Sequence, residues 1–124
     1  MMSLLLLGLN HKAAPVEVRE RLAVSPGHLA ETLCALRAAP GVAEVAILST
    51  CNRLEVYAVV DGTPMNAGVE SDQWRVAWPS SPVAGCSLVE ALASCQGLTV
   101  ADFAPYLYVY TDQAAARHLC RVAA

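Results

Sequence analysis

Two apolar, β-branched runs, Val42–Leu48 and Leu54–Val60, lie close together in the sequence and constrain the fold more than any other feature. Runs of this kind are typical of strands packed against a core. The residues between them are polar or reactive: Ser49, Thr50, Cys51, Asn52 and Arg53. The simplest interpretation of such a short connection is a polar hairpin turn.

The rest of the chain alternates between strand-like and helix-like patterns. Strands are predicted at Ser3–Leu9 and Tyr106–Tyr110, and helices at Pro15–Leu22, from Ser25 to the Pro40-Gly41 stop, from Ser87 with Glu90 in a capping-box pattern, and from Asp112 onward. Residues 62–85 are rich in Gly, Pro and Ser and predict no firm element. This order predicts an α+β fold, a small ferredoxin-like sandwich with helices on one face of a mostly antiparallel sheet.

Length and composition indicate a single globular domain spanning residues 1–124. The chain is 56% hydrophobic and 15% charged, with a net charge of −3, so no chain-wide basic surface points to nucleic acid. No apolar run is long enough to span a membrane, and no signal peptide is evident, which predicts a cytoplasmic location. The last helix reaches Ala124 without a stop signal, which predicts that the chain is part of a longer one.

The cysteines do not form a recognisable framework. Five cysteines without a C-x-x-C pair argue against a disulfide scaffold. Cys34, Cys86, Cys95 and Cys120 are interpreted as reduced thiols that pack as small apolar side chains. A zinc site built from Cys86, Cys95, Cys120 and His118 would lack the usual ligand spacing, so no metal is predicted.

Cys51 and Arg53 form the candidate site. In an extended backbone, alternate residues lie on one side, so these two would share a side. A guanidinium there would stabilise a thiolate or bind a substrate carboxylate. The alternative is a turn whose cysteine only packs. Arg117 and Arg121 lie one helical turn apart and would contact phosphate or form a solvated helix face. Taken alone, His118 between them is most simply a solvated histidine.

Three blocks resemble the N-terminal domain of glutamyl-tRNA reductase, an enzyme family of tetrapyrrole (5-aminolevulinate, porphyrin) biosynthesis. They are GLNHKAAPVEVRERL (Gly8–Leu22), ILSTCNRLEVY (Ile47–Tyr57) and ARHLCRVAA (Ala116–Ala124), and their order also matches. The residues from Asp61 to Leu98 match nothing in the family pattern. Ala13 and Leu54 stand where the family usually has hydroxyl-bearing residues, which removes two hydroxyls but keeps the nucleophile and the arginine.

The resemblance implies an oxidoreductase that reduces glutamyl-tRNA to glutamate-1-semialdehyde with NADPH. Cys51 would be the nucleophile and hold the glutamyl group as a thioester, which is chemically suited to a thiolate. His118 would assist as an acid, a base or a polarising group. Thr50, Asn52 and Arg53 would bind substrate, with Arg53 recognising the glutamate. The implied partners are glutamyl-tRNA, glutamate-1-semialdehyde aminotransferase and, for the full-length enzyme, a second copy of itself.

The cofactor is expected outside this chain. The seven glycines form no G-x-G-x-x-G pattern, so no NADPH site is predicted, and the family's NADPH-binding and C-terminal dimerisation domains would be absent. The chain would therefore supply a nucleophile without a hydride. The alternatives are a non-catalytic binding module for glutamyl-tRNA or a protein, and a cysteine-dependent esterase that uses Cys51 and His118 alone.

Overall fold

Strands and helices alternate along the chain much as the hydrophobic pattern predicts. The computed structural model describes residues 2–39, 41–50, 52–61 and 84–123. The strands are β1 (Met2–Asn10), β2 (Val42–Ser49), β3 (Arg53–Asp61) and β4 (Tyr108–Thr111), and the helices are α1 (Val16–Leu22), α2 (Leu29–Arg37), α3 (Ala84–Cys95) and α4 (Asp112–Ala123). Short 3-10 turns precede α2 and β4.

The four strands form one antiparallel sheet in the order β2-β3-β1-β4. The short connection makes β2 and β3 neighbours, whereas β1 inserts between β3 and β4. The split β-α-β-β-α-β arrangement of ferredoxin-like folds has this pattern. The predicted α+β class and antiparallel sheet are therefore confirmed.

One face of the sheet carries the main hydrophobic core. Because paired residues of neighbouring strands share a face, the register places Leu5, Leu7 and Leu9 of β1 beside the apolar side chains of β3. Helices α1, α2 and α3 cover this face with Leu22, Leu36, Leu88 and Leu92. Each fully buried side chain of this size contributes about 1.5–3 kcal/mol. This layer matches the predicted sandwich and holds β3 rigidly in place.

Helix α4 packs on the opposite face, so the helices lie on both sides of the sheet and not on one face as predicted. It follows β4 without a loop, and its first residue, Asp112, has a φ of +47°, a left-handed conformation that Asp tolerates better than most residues. The Asp112 carboxylate accepts a hydrogen bond from the backbone N–H of Leu4 at 3.1 Å. This turn directs α4 back across β1 and β4, and brings His118 over the sheet.

Several element boundaries differ from the sequence predictions. The last strand begins at Tyr108 and not at Tyr106, because Ala104–Tyr106 forms a 3-10 turn. Helix α3 begins at Ala84, so Ser87 lies within it and does not start it. A capping box occurs instead between Thr99 and Asp102. Within the described residues, no helix has the length and apolarity that crossing a membrane requires.

Candidate functional site

The connection between β2 and β3 is a tight turn built around the hydroxyl of Thr50. Its Oγ1 accepts hydrogen bonds from the backbone N–H groups of Asn52 at 3.3 Å and Arg53 at 3.2 Å. The Thr50 N–H donates to the carbonyl oxygen of Arg53 at 2.8 Å. Three hydrogen bonds of Thr50 therefore set the start of β3. The Asn52 side chain is exposed. Cys51 lies outside the described residues.

Arg53 begins β3 on the face that α4 covers. It pairs with Asn10 of β1, and its side chain is 23% exposed. Its Nη1 lies 3.4 Å from Oε2 of Glu55, two residues along the same face. One nitrogen of the guanidinium therefore contacts a buried carboxylate, and a guanidinium has further N–H donors that can bind a ligand carboxylate.

The carboxylate of Glu55 is the centre of this cluster, and its side chain is fully buried. Its Oε1 accepts a hydrogen bond from the hydroxyl of Tyr57 at 2.6 Å, and its Oε2 accepts one from the hydroxyl of Tyr108 at 2.5 Å. Nε2 of His118 also contacts Oε2. With Arg53, four side chains from β3, β4 and α4 converge on one carboxylate. We call these five residues the Glu55 cluster.

Hydrogen bonding keeps Glu55 ionised. Burial raises the pKa of this carboxyl, but the hydrogen bonds from Tyr108, Tyr57 and His118, together with the charge of His118, bring the pKa below its ordinary value of 4.5. Burial and the bond to Glu55 raise the pKa of both Tyr57 and Tyr108, so both phenols stay protonated donors. The cluster is therefore a buried anion surrounded by donors.

The contact with Glu55 determines the orientation of His118. An ionised carboxylate only accepts, so Nε2 carries a proton and Nδ1 is the nitrogen left for proton transfer. The ring also stacks on Tyr110, with centroids 4.9 Å apart and planes at 29°. His118 is 9% exposed. The interpretation of His118 as a solvated histidine is therefore wrong, because it lies on the inner stripe of α4.

Gly8 provides the space that the cluster occupies. It pairs with Glu55 on one side and Tyr108 on the other. A Cβ at this position would lie 2.8 Å from Cε1 of Tyr108 and 3.0 Å from Cγ of Glu55. A side chain there would push both residues away, so this glycine is required by close approach.

The structure brings together two of the predicted site residues, Arg53 and His118, through Glu55. Thr50 and Asn52 lie in the adjoining turn. Sequence reasoning missed Glu55, Tyr57 and Tyr108. The available signal was Glu55 itself, a single acid within an apolar strand, flanked at period-2 positions by Arg53 and Tyr57.

The remaining cysteines do not pack as predicted. Cys34, Cys95 and Cys120 are free thiols on exposed positions, because each lies on the outer side of its helix. The side chain of Cys86 is outside the described part of the chain. Among the described residues, no group of three His, Cys, Asp or Glu side chains is placed to hold a metal ion.

Gly8, Gly41 and Gly97 do not form the turn that binds a dinucleotide cofactor. Such a site needs a glycine-rich turn from a strand into a helix, whose N–H groups contact the pyrophosphate. Gly8 lies inside β1 under Tyr108, and Gly41 and Gly97 lie in turns with positive φ beside the helix ends that precede them. None of these three glycines opens a helix after a strand.

Comparison with known proteins shows which family this chain resembles. The profile of the family described as "Glutamyl-tRNAGlu reductase, N-terminal domain" matches residues 7–124. The match includes Asp61–Leu98, so the prediction that this segment matches nothing in the family pattern is wrong. Proteins named glutamyl-tRNA reductase are similar over nearly the whole chain: that of Marinobacter nauticus is 43% identical over 99% of it, that of Rippkaea orientalis 42% over 99%, and that of Prochlorococcus marinus 36% over 98%. The chain covers 24% of each of these relatives.

Proposed function

The chain belongs to the family of glutamyl-tRNA reductase N-terminal domains, and from that premise we propose that it accepts the glutamyl group of glutamyl-tRNA. Residues 1–124 form a single catalytic domain of a cytoplasmic, NADPH-dependent oxidoreductase, whose NADPH-binding and dimerisation domains are separate. The observation that carries the proposal is the buried Glu55 carboxylate, which contacts both Arg53 and His118; in the sequence, Cys51 precedes Arg53 by two residues.

Arg53 recognises the substrate in this proposal. The side-chain carboxylate of a glutamyl group matches the free edge of a guanidinium, and the paired geometry favours two parallel hydrogen bonds. Glu55 binds the other edge of the guanidinium at 3.4 Å. Because Arg53 is held in advance, less conformational entropy is lost when substrate binds. Thr50 contributes by fixing the turn, and Asn52 offers a neutral polar side chain at its exposed side.

The chemical step is transfer of the glutamyl group from oxygen to sulfur. The Cys51 thiolate attacks the ester carbonyl carbon, a C–S bond forms, and the bond from that carbon to the ribose oxygen breaks. The leaving oxygen takes a proton, which His118 supplies through Nδ1. Glu55 orients the imidazole, as the third residue does in nucleophile–histidine–carboxylate triads. The resulting thioester is what NADPH would reduce to glutamate-1-semialdehyde, and no step through NADPH is assigned to these residues.

The experiment incubates the chain with tRNA carrying labelled glutamate and measures label bound covalently to protein. The native chain should take up label, and Cys51→Ser should take up none, because a serine hydroxyl is a far weaker nucleophile at neutral pH. Cys34→Ser is the matched control, since this exposed thiol lies on α2, across the sheet from the Glu55 cluster, and it should be labelled like the native chain.

The same experiment addresses the alternatives. Absence of label on the native chain, together with tight binding of the tRNA, would overturn the catalytic proposal and support a non-catalytic binding module. Label from small glutamyl esters as fast as from glutamyl-tRNA would instead support a simple cysteine esterase. The aminotransferase partner and the homodimer belong to the proposal for the full-length enzyme.

A further inference from the structure

Helix α4 carries a line of long polar side chains on the side away from the core. Gln113, Arg117 and Arg121 are spaced four residues apart, so they lie one above the other along the helix surface. All three are exposed, whereas Ala115 and His118 of the same helix are buried. The helix therefore presents His118 to the sheet and both arginines to solvent.

The charges of these arginines are not neutralised within the described part of the chain. Neither Arg117 nor Arg121 has an ion pair there, whereas Arg53 is paired with Glu55. The acidic residue of α4, Asp112, instead bonds the backbone of Leu4. In a chain of net charge −3, this is a locally basic surface. It also borders a concavity of about 600 Å³ that is lined by Gln113, Ala116, Arg117, Cys120 and Arg121.

We propose that Arg117 and Arg121 bind backbone phosphates at the 3′ end of the tRNA. The inference rests on the proposed function, because it takes the ester to lie at the Glu55 cluster. Arg117 precedes His118 directly, and Arg121 follows it by three residues, about 4.5 Å along the helix axis. The phosphate nearest to an aminoacyl ester is within one nucleotide of it. An RNA whose terminal ester reaches His118 therefore brings phosphates to the flank of α4.

Arginine suits this contact chemically. Its planar fork pairs with two phosphate oxygens, and such contacts position a nucleic acid without reading its sequence. Each phosphate neutralised releases condensed counterions, so the affinity falls with salt by a slope of about 0.7 per contact on a single strand and about 0.9 on a duplex. Two contacts should therefore contribute about 1.4–1.8 to the slope of log Kd against log salt concentration.

The test measures binding of uncharged tRNA to the native chain by fluorescence anisotropy at several salt concentrations. The double variant Arg117→Gln/Arg121→Gln should bind more weakly, and its slope should be smaller by about 1.4–1.8. Arg21→Gln/Arg37→Gln is the matched control: it removes the same charge from exposed residues of α1 and α2, on the other face of the sheet. Its slope should equal that of the native chain. Circular dichroism verifies that both variants are folded.

Equal slopes for the native chain and the Arg117/Arg121 variant would overturn the inference, as would equal losses in both double variants. The salt dependence and the labelling experiment together distinguish failure of this inference from failure of the proposed function. If the arginines control the slope but the native chain takes no label from glutamyl-tRNA, the phosphate surface stands and the thioester proposal fails. If label is taken up and the slope does not depend on the arginines, the thioester proposal stands and the phosphate surface fails.

Discussion

The carboxylate of Glu55 receives hydrogen bonds from residues of three elements, β3, β4 and α4. Burying a charge of this kind is costly unless every lone pair is occupied. In this cluster the donors are present, and the pKa of Glu55 falls below its ordinary value as a result. A single residue thus links the orientation of Arg53 to that of His118.

Replacing Glu55 by Gln tests this linkage. The amide keeps the size of the side chain but loses the charge. With its oxygen in the place of Oε2, its N–H₂ group replaces Oε1, the acceptor of the Tyr57 hydroxyl. We expect a loss of about 1–3 kcal/mol in the free energy of unfolding, measured in urea, and slower labelling by glutamyl-tRNA. Glu44→Gln, on the same face but exposed on β2, is the control and should change neither. Equal losses in the two variants would show that Glu55 has no special role.

Stability at acidic pH should also differ between the native chain and the Glu55→Gln variant. Folding lowers the pKa of Glu55, so its contribution is present above the ordinary value of 4.5 and is lost as pH falls through the lower folded pKa. The native chain should lose stability over that range, and Glu55→Gln should lose less. An unchanged acid limb would contradict the assignment of an ionised Glu55.

Because of Tyr57 and Tyr108, the stability of the chain should also depend on pH at alkaline values. Folding raises the pKa of Tyr57 and Tyr108 above the ordinary value of 10.0. Their contribution is therefore complete below pH 10.0 and is lost as pH rises toward the folded pKa values. The Tyr57→Phe/Tyr108→Phe variant should be less stable at neutral pH but should show a flatter alkaline limb. Tyr106→Phe serves as the control; a flattening there of the same size would refute the argument.

At the scale of elements, the site depends on how closely β1, β3 and β4 approach under α4. Gly8 lies between Glu55 and Tyr108, and a Cβ at this position would come within 2.8 Å of Tyr108 and 3.0 Å of Glu55. The strand-to-helix turn at Asp112 then sets the height of α4 over this point. The cluster is consequently a property of four elements together and of no single motif.

Gly8→Ala should destabilise the chain by about 1–3 kcal/mol, as overpacking of a tight site usually does. It should also slow labelling by glutamyl-tRNA, because Tyr108 and Glu55 must move. Gly27→Ala is a suitable control, since a Cβ there meets nothing within 4 Å. Thermal unfolding measures the stability of both variants, and reaction with glutamyl-tRNA measures their labelling. A Gly8→Ala chain as stable and as active as the Gly27→Ala chain would mean that the close approach is not required.

The same elements show what can be predicted from sequence. Continuous apolar runs located the strands of the described part of the chain, and helical spacing together with start signals located its helices, because burial requires such apolar patterns. The side of the sheet on which α4 packs did not follow from any local pattern, since it depends on the left-handed turn at Asp112. The predicted start of α3 at Ser87 is wrong, because a capping-box pattern also occurs inside helices. The helix begins at Ala84.

For the site, the polar connection between two apolar runs indicated Arg53 from the residues themselves, whereas His118 was reached only by resemblance. Their joint partner, Glu55, follows from strand register, which pairs Gly8 with Glu55 and with Tyr108. Register is set by long-range pairing, and residues 55 and 118 are far apart in the chain. A single sequence does not encode that contact in any local signal.

At the scale of the whole molecule, the chain covers about a quarter of the relatives it matches. The sheet provides two different surfaces: a packed core under α1, α2 and α3, and a polar cluster under α4. In the proposed account the second surface binds and transfers the glutamyl group, the flank of α4 holds the RNA, and the hydride comes from elsewhere in the enzyme. Division of labour of this kind is common where one domain holds the reacting group and another holds the cofactor.

The central claim is that Cys51 takes the glutamyl group. The direct measurement is peptide mapping by mass spectrometry of the native chain after reaction with glutamyl-tRNA, with and without neutral hydroxylamine, which cleaves thioesters. We expect glutamate on the peptide that contains Cys51, and we expect hydroxylamine treatment to remove it. Glutamate on the peptide of Cys34, Cys95 or Cys120, or on no peptide although the tRNA is bound, would contradict this claim.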